Sequence, residues 1–493
     1  MWRRRSPTPV ARRPWDLSET LLDLSESDPW TIGDACEGTL VLGATGSGKS
    51  SGSGRALALA FLRAGFGGLV LTAKPDERAV WESYCREAGR EGDLLAFGPG
   101  RPLRFNFIDH ELRRRGVGAG LTENIVNLLS TVLEVAERGG GGGGGREDEG
   151  YWRRAMRQLM RNLVDLLVLS GGGLSIPDLY RLVVSAPTSP GQAVSPEWKR
   201  ESFCYSCLKR ADERDKTPGQ RSDYEIVADY LMLEYPALSE KTRSVIVSTF
   251  TSMIDVLNRG ILRELFCGET NVGPEVVESG KVLVIDLPVK EFAEVGAFAQ
   301  VLWKYVFQRS IERRDAASSP RPAFFWADEA QNFVTSYDMQ FQTTARSSRV
   351  ATVLLSQNLP NFYAALGGGE RGKAEADSLL ANLNTKIFHA NGDPATNEWA
   401  SSLVGRTRQF FLNGGNSYQA GDPFGFPRLR PPPTVSAGMS ESYEFDLQPS
   451  VFTSLRRGGY AHGGEVDGIV FQGGRRFRWN GRSWLRRTFR QGP

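Results

Sequence analysis

Residues 39–50 constrain this chain more than any other stretch. Thr39-Leu-Val-Leu42 is a short apolar run, and Gly43-Ala-Thr-Gly46-Ser-Gly48-Lys49-Ser50 follows it directly. The octet fits the pattern G-x4-G-K-[ST] in full. Its glycines let successive backbone N–H groups turn toward one phosphate, its lysine reaches the outer phosphates, and its hydroxyl ligates Mg²⁺. A tight glycine turn would account for the glycines but leaves Lys49 without a purpose. Ser51–Ala64 has helical composition, and Gly68–Thr72 reads as a second strand. Strand, loop, helix, strand is how an α/β domain begins. The expected cofactors are ATP and Mg²⁺. Their expected contacts are Gly43, Thr45, Gly46, Ser47, Gly48, Lys49, Ser50 and Ser51, with Ser50 on the metal.

The period of the apolar residues then changes. Ile125, Leu128, Leu129, Val132, Leu133 and Ala136 recur at helical spacing, as do Met156, Leu159, Met160, Leu163, Val164 and Leu167. Seven consecutive glycines, Gly139–Gly145, lie between the two sets and read as a surface loop. Ser175 is placed to cap a third helix, and Tyr224–Glu234 and Glu240–Leu257 read as further helices. Short apolar runs return at Lys281–Asp286, Ala323–Ala327, Ala351–Ser356 and Lys386–Ala390, with a helix over Glu294–Arg313. Runs of this length separated by helices indicate a parallel sheet covered on both faces. The expected fold is therefore an α/β P-loop domain of RecA-like type with a mostly parallel sheet, interrupted by an all-α insertion. A small β-containing tail follows. The boundaries drawn are a basic arm at 1–35, sheet halves at 36–113 and 276–410, the insertion at 114–275, and a Gly/Pro linker with a basic tail at 411–493. An Asn480-Gly481 turn flanked by Trp479 and Trp484 suggests a hairpin in that tail.

Two carboxylates, Asp328 and Glu329, close the apolar run AFFWA. Asp328 suits the Mg²⁺ shell, and Glu329 suits polarising an attacking water. The alternative is a pair of acids capping the next helix. Arg346 and Arg349 follow, then a strand ending Ser356-Gln357-Asn358. An arginine from a neighbouring subunit would stabilise charge on the transferred phosphoryl, and a strand-end amide would sense it. Surface charge and a polar turn are the plainer readings of Arg346, Arg349 and Gln357.

Composition narrows the partners. The chain has 493 residues and a net charge of +3, with 49 Arg and only 11 Lys. Residues 1–15 carry +5 and residues 451–493 carry +7, so the rest is acidic at −9. Arginine-rich ends on an acidic body suit a polyanion, and Arg475, Arg476, Arg478, Arg486 and Arg487 interleave with Trp479 and Trp484. Exposed arginines on a plain hairpin are the other reading. Five cysteines in this length point to a reducing compartment, and Cys204-x-x-Cys207 lacks the companion ligands of a zinc site. No window approaches ~18 uninterrupted apolar residues, so no membrane span and a cytoplasmic location are expected.

Taken in order, TGSGKSSGSG, LVLTAKPDE, RFNFID, WADEAQNF, ARSSR, LLSQN and TKIFHANGD resemble the conjugative coupling proteins of type IV secretion, the TraG/TraD type within the FtsK/HerA-like ATPases. The resemblance covers about residues 36–410. It implies Lys49 and Ser50 on ATP-Mg²⁺, Asp328 on Mg²⁺, Glu329 as base, Arg346 as a finger acting in the neighbouring subunit, and Gln357 as sensor. It also implies a homo-oligomer, a hexameric ring, with DNA as partner and relaxosome or secretion-channel proteins as possible contacts. Members of that family usually begin with membrane-spanning helices, and here Met1 lies some forty residues before the P-loop. Recruitment to the inner membrane would then fall to partners. The expected activity is ATP-driven DNA translocation. A motor for protein cargo, chromosome handling or mobile-element defence, and a nucleotide-gated adaptor without turnover, are the alternatives.

Overall fold

The computed structural model describes residues 14–139, 146–417 and 434–492. In chain order the strands are β1 (Thr20–Ser25), β2 (Asp28–Thr31), β3 (Thr39–Leu42), β4 (Gly67–Leu71), β5 (Leu94–Phe97), β6 (Val282–Ile285), β7 (Ala323–Ala327), β8 (Val350–Ser356), β9 (Thr385–Phe388), β10 (Arg406–Ser417), β11 (Thr434–Phe445), β12 (Glu465–Gln472) and β13 (Trp484–Arg490). Nine of them form one sheet in the order β13-β12-β9-β3-β8-β7-β4-β6-β5. From β9 to β5 every neighbouring pair is parallel. β12 joins β9 antiparallel, and β13 joins β12 antiparallel.

The apolar runs explain this sheet. A strand buried on both faces needs consecutive apolar residues, and all residues of β3, β4, β6, β7 and β9 are buried. Alternate side chains feed two cores. Leu40, Leu42, Phe325 and Ala327 face one with the helical block, whereas Val41, Phe324 and Trp326 face the other with Phe61, Trp81 and Phe489.

Between β5 and β6 every described regular element is helical. Ile125, Leu128 and Leu129 are buried as the spacing requires, and so are Met156, Leu159, Met160, Leu163, Val164 and Leu167. Ser175 accepts a hydrogen bond from the Asp178 N–H at the start of the helix Ile176–Val184. Cys204 and Cys207 are buried on the helix Phe203–Glu213. The side chains of Val132, Leu133 and Ala136 and most of the glycine run lie outside the described residues. No single described helix is long and apolar enough to cross a membrane.

Four readings need correction. Residues 20–35 are not part of an arm. β1 and β2 form a hairpin, and Trp30 is buried with its indole N–H on the Thr385 hydroxyl at 3.2 Å. β5 was missed because LLAF is four residues long and its charged approach, Glu91-Gly-Asp93, masks the strand. The region from residue 411, read as starting with a linker, includes over half of β10 and all of β11, which pair over Arg406–Ser417 and Thr434–Phe445. Finally, the C-terminal strands are no appendage, because they complete one edge of the central sheet. They also pair several of the tail's charges. Arg486 pairs with Asp467 at 2.7 Å, Arg475 lies 3.7 Å from Asp34, and Arg487 donates to the Asp23 carbonyl. These three guanidiniums are paired within the chain, while Arg476 and Arg478 are exposed.

Candidate nucleotide site

The site lies at the carboxyl ends of β3, β8, β7 and β4, four adjacent strands. β3 delivers the P-loop. Gly46 and Gly48 take φ of +72° and +83°, values an L side chain adopts at a cost. The loop is pinned by Gly43 N–H to the Ser356 carbonyl at 3.3 Å and Ala44 N–H to the Ala390 carbonyl at 2.9 Å. The expected helix begins as a π turn, Ser50–Gly54, and becomes α-helical at Arg55–Arg63. Thr45 and Gly46 are exposed at the mouth, while Ser47 and Lys49 are buried.

β7 brings the two acids to the same edge. Ser50 donates to Asp328 Oδ2 at 2.6 Å, so hydroxyl and carboxylate converge on one point. Hard oxygen donors of this kind suit Mg²⁺, which keeps several waters and takes few protein ligands. Glu329 adopts a left-handed backbone, φ 52°, and its N–H donates to Asp328 Oδ1 at 2.9 Å. A non-glycine residue there stores about 1 kcal/mol of strain, which aims neighbouring carboxylates in different directions.

Glu329 is held from several sides. Its Oε2 accepts from the Gln331 amide at 2.9 Å and from Gln357 Nε2 at 3.3 Å. Its Oε1 lies 3.8 Å from Lys49 Nζ and 3.7 Å from Lys74 Nζ. Burial pushes this carboxyl up, but the Gln331 hydrogen bond and the two ammonium groups outweigh it, and the group rests below its ordinary value. It is ionised, as a base must be. Gln331 is itself fixed by the Ser356 hydroxyl at 2.7 Å, and the Gln357 carbonyl accepts from Asn391 at 2.9 Å.

Arg346 lies elsewhere in the same chain. It pairs with Glu37 at 3.0 Å and is 65% exposed. Glu37 precedes β3 while the P-loop follows it, so Arg346 sits on the opposite edge of the sheet. Arg349, φ 53°, donates to the carbonyls of Trp15 and Pro320 at 3.1 and 3.0 Å. Neither arginine reaches the P-loop of its own chain. Ser51 is exposed and accepts from Gln491 Nε2 at 2.5 Å.

Several residues here went unread in the sequence. Lys74 and Glu77 lie after β4, and burial together with nearby Asp328 pushes the Glu77 carboxyl up to about 8. His389 is wholly buried under the P-loop, its Nε2 2.7 Å from Ser53 Oγ and its Nδ1 2.8 Å from the Asp467 carbonyl. The carbonyl can only accept, so Nδ1 carries the proton and Nε2 accepts from Ser53. Val466 of β12 fills the space beside Gly48 and Gly52, where added Cβ atoms would lie 2.8 and 2.3 Å from its methyls. Only the stretches LVLTAKPDE and TKIFHANGD hinted at Lys74, Glu77 and His389.

Residues 322–417, which include Asp328, Glu329, Arg346 and Gln357, match the family model described as the TraM recognition site of TraD and TraG. Among curated proteins none matches the sequence. Among solved structures, the plasmid coupling protein TrwB in complex with ADP and Mg²⁺ matches with a TM-score of 0.58 at 17% identity, over 94% of this chain and 88% of that one. TrwB with the non-hydrolysable ATP analogue ADPNP matches at 0.56 and 16% identity, with the same coverage. The unbound bacterial conjugative coupling protein TrwBΔN70 matches at 0.57 and 17% identity, over 93% and 86%. Residues 322–417 are thus similar to the matched segment of TraD and TraG, and the chain has the fold of the bacterial conjugative coupling proteins.

Proposed function

We propose that the chain is an ATP-hydrolysing motor that translocates DNA or a nucleoprotein substrate in conjugative transfer through a type IV secretion system. One observation carries the reading. Ser50, Asp328, Glu329, Lys49 and Gln357 converge on one strand edge, with Glu329 ionised and held at Oε2 by two amides. A cradle for phosphate alone would not need that second, oriented carboxylate.

In this reading the P-loop amides and Lys49 bind the β- and γ-phosphates, and Ser50 and Asp328 would hold Mg²⁺. Mg²⁺, when bound, offsets charge on the phosphate oxygens. Glu329 takes the proton of the attacking water, and Gln357 links the state of that carboxylate to β8. The TrwB complexes with ADP-Mg²⁺ and with an ATP analogue support nucleotide as ligand for this fold. Arg346, remote from its own P-loop, acts on the site of an adjacent copy in a homohexameric ring. TraM-like relaxosome proteins are the partner class that the matched C-terminal segment suggests. The location proposed is cytoplasmic, with recruitment to the inner membrane by partners.

The test is turnover with and without single- and double-stranded DNA. Glu329→Gln should bind ATP and lose hydrolysis by about 10²-fold or more, and Lys49→Ala should lose binding. DNA should stimulate the wild type, less so as salt rises. A Glu329→Gln variant that hydrolyses ATP normally refutes the assignment. Stimulation by protein alone would transfer the motor to a protein cargo.

A further inference from the structure

The roles assigned above leave Lys74 unexplained. It sits one strand beyond the two acids, in the loop that follows β4. That loop is braced from within and from the helix Val289–Arg313. Gln300 Oε1 accepts from the Thr72 N–H at 3.2 Å and its amide donates to the Thr72 carbonyl at 2.8 Å. The Ala73 N–H donates to Glu77 Oε2 at 2.7 Å, and the Glu77 N–H returns to the Lys74 carbonyl at 3.3 Å. Lys74 therefore leaves a rigid platform and not a free loop.

Its ammonium group has an unusual neighbourhood. It lies 3.7 Å from Glu329 Oε1, the same oxygen that lies 3.8 Å from Lys49 Nζ. Both separations exceed the 2.7–2.9 Å, about, of a made charge-assisted hydrogen bond. The two ammonium groups thus stand no more than about 7.5 Å apart. That is a gap two cations can span onto one tetrahedral anion. Burial would lower the Lys74 ammonium, but Asp328 and Glu329 raise it above its ordinary value, so it is a full cation.

We infer that Lys74 is a further catalytic residue of this site, a cation supplied in cis that meets the γ-phosphoryl oxygens opposite Lys49. The inference rests on the nucleotide reading above and deepens it. With Arg346 and Arg349 turned away in the same chain, Lys49 and Lys74 are the two cations paired to Glu329 among the described residues. Charge that builds on the γ-phosphoryl then has a partner on each side before any neighbouring copy contributes. The flexible four-carbon stem lets Lys74 leave Glu329 as the phosphoryl arrives, which frees Oε1 for the water proton.

The test compares Lys74→Met and Lys74→Arg with the wild type and with Lys49→Ala. The probes are fluorescent ADP and a fluorescent non-hydrolysable ATP analogue, each with Mg²⁺, alongside the ATPase rate. Lys74→Met should weaken the triphosphate analogue at least tenfold, leave ADP within about twofold, and lower kcat by about 10²-fold, the cost of losing one preorganised donor. Lys74→Arg should restore much of the triphosphate preference. Equal weakening of both nucleotides would make Lys74 a builder of the loop and overturn the inference. Tighter Mg²⁺-nucleotide binding would make it a stand-in for the metal and overturn it too. A silent Lys74→Met beside a defective Lys49→Ala would sink this role alone. A wild type that binds neither probe would sink the nucleotide reading and this role with it.

Discussion

Two antiparallel strand pairs end the described chain, and they differ in how far they are covered. β10–β11 pairs twelve residues with twelve in unbroken register, yet Phe410, Leu412, Met439 and Tyr443 are 57%, 84%, 68% and 58% exposed. β12–β13 pairs seven with seven, yet all but the first residue of β12 is buried. Ladder hydrogen bonds replace bonds to water and contribute little net. What separates the two is the surface offered to them. β12 finds the open edge of β9 and a trough made by Gly48 and Gly52, into which Val466 fits. β11 contacts the helix Pro394–Val404, but among the described residues its strand pair joins no other sheet.

The largest expected effect breaks this contrast at its strongest contact. Val466→Asp places a carboxylate beside the P-loop glycines, in the apolar core that Val466 shares with Phe61 and Phe489. It should cost at least 3 kcal/mol, about, and abolish nucleotide binding, as read by chemical denaturation and nucleotide titration. A variant that keeps both would deny that β12 supports the cradle.

The second effect is a pH slope. Burial, with Lys49 nearby, pushes His389 down to about 4 against the pull of the Asp467 carbonyl. A base whose folded value is depressed is neutral in the fold and protonates first in the unfolded chain. Its contribution is therefore complete above about pH 6.5 and falls by about 1.4 kcal/mol per unit as pH drops toward 4. His389→Gln should flatten that part of the stability profile relative to the wild type. Parallel profiles for the two proteins would remove His389 from the account.

The smallest effect sharpens the other side. Leu412→Ser on the exposed ribbon should change stability by no more than about 0.5 kcal/mol and leave nucleotide affinity unaltered. A larger loss would mean that the ribbon is covered by something this single chain does not contain.

Much of the fold was readable because buried parallel strands must be apolar without a break. AFFWA spans β7 at its observed bounds, and GKS and DE mark where chemistry meets the sheet. β10 and β11 were unreadable for the complementary reason. Asn413, Gly414, Gly415 and Gly438 are turn formers, and only pairing overrides that preference. The arginines of the tail were visible as charge but not as partners, since Arg475 answers Asp28 and Asp34 at the far end of the chain. Lys74 lies within the stretch LVLTAKPDE, yet nothing local ties it to Glu329, more than 250 residues away. Arg346 has the right spacing to Gln357, and the sheet then separates the two onto opposite edges.

The trough under Gly48 and Gly52 has a consequence for how the protein is made. The P-loop leaves the ribosome early, but the strand that fills its underside is translated more than 400 residues later. At 5–20 residues per second that is a wait of roughly 20–80 s. During it the cradle's glycines have no methyls against them, and His389, once made, still waits 78 residues for the Asp467 carbonyl. A nascent or prematurely terminated chain therefore carries the motif without the cradle. Truncation before β12 should therefore weaken nucleotide binding although every residue of the motif is present.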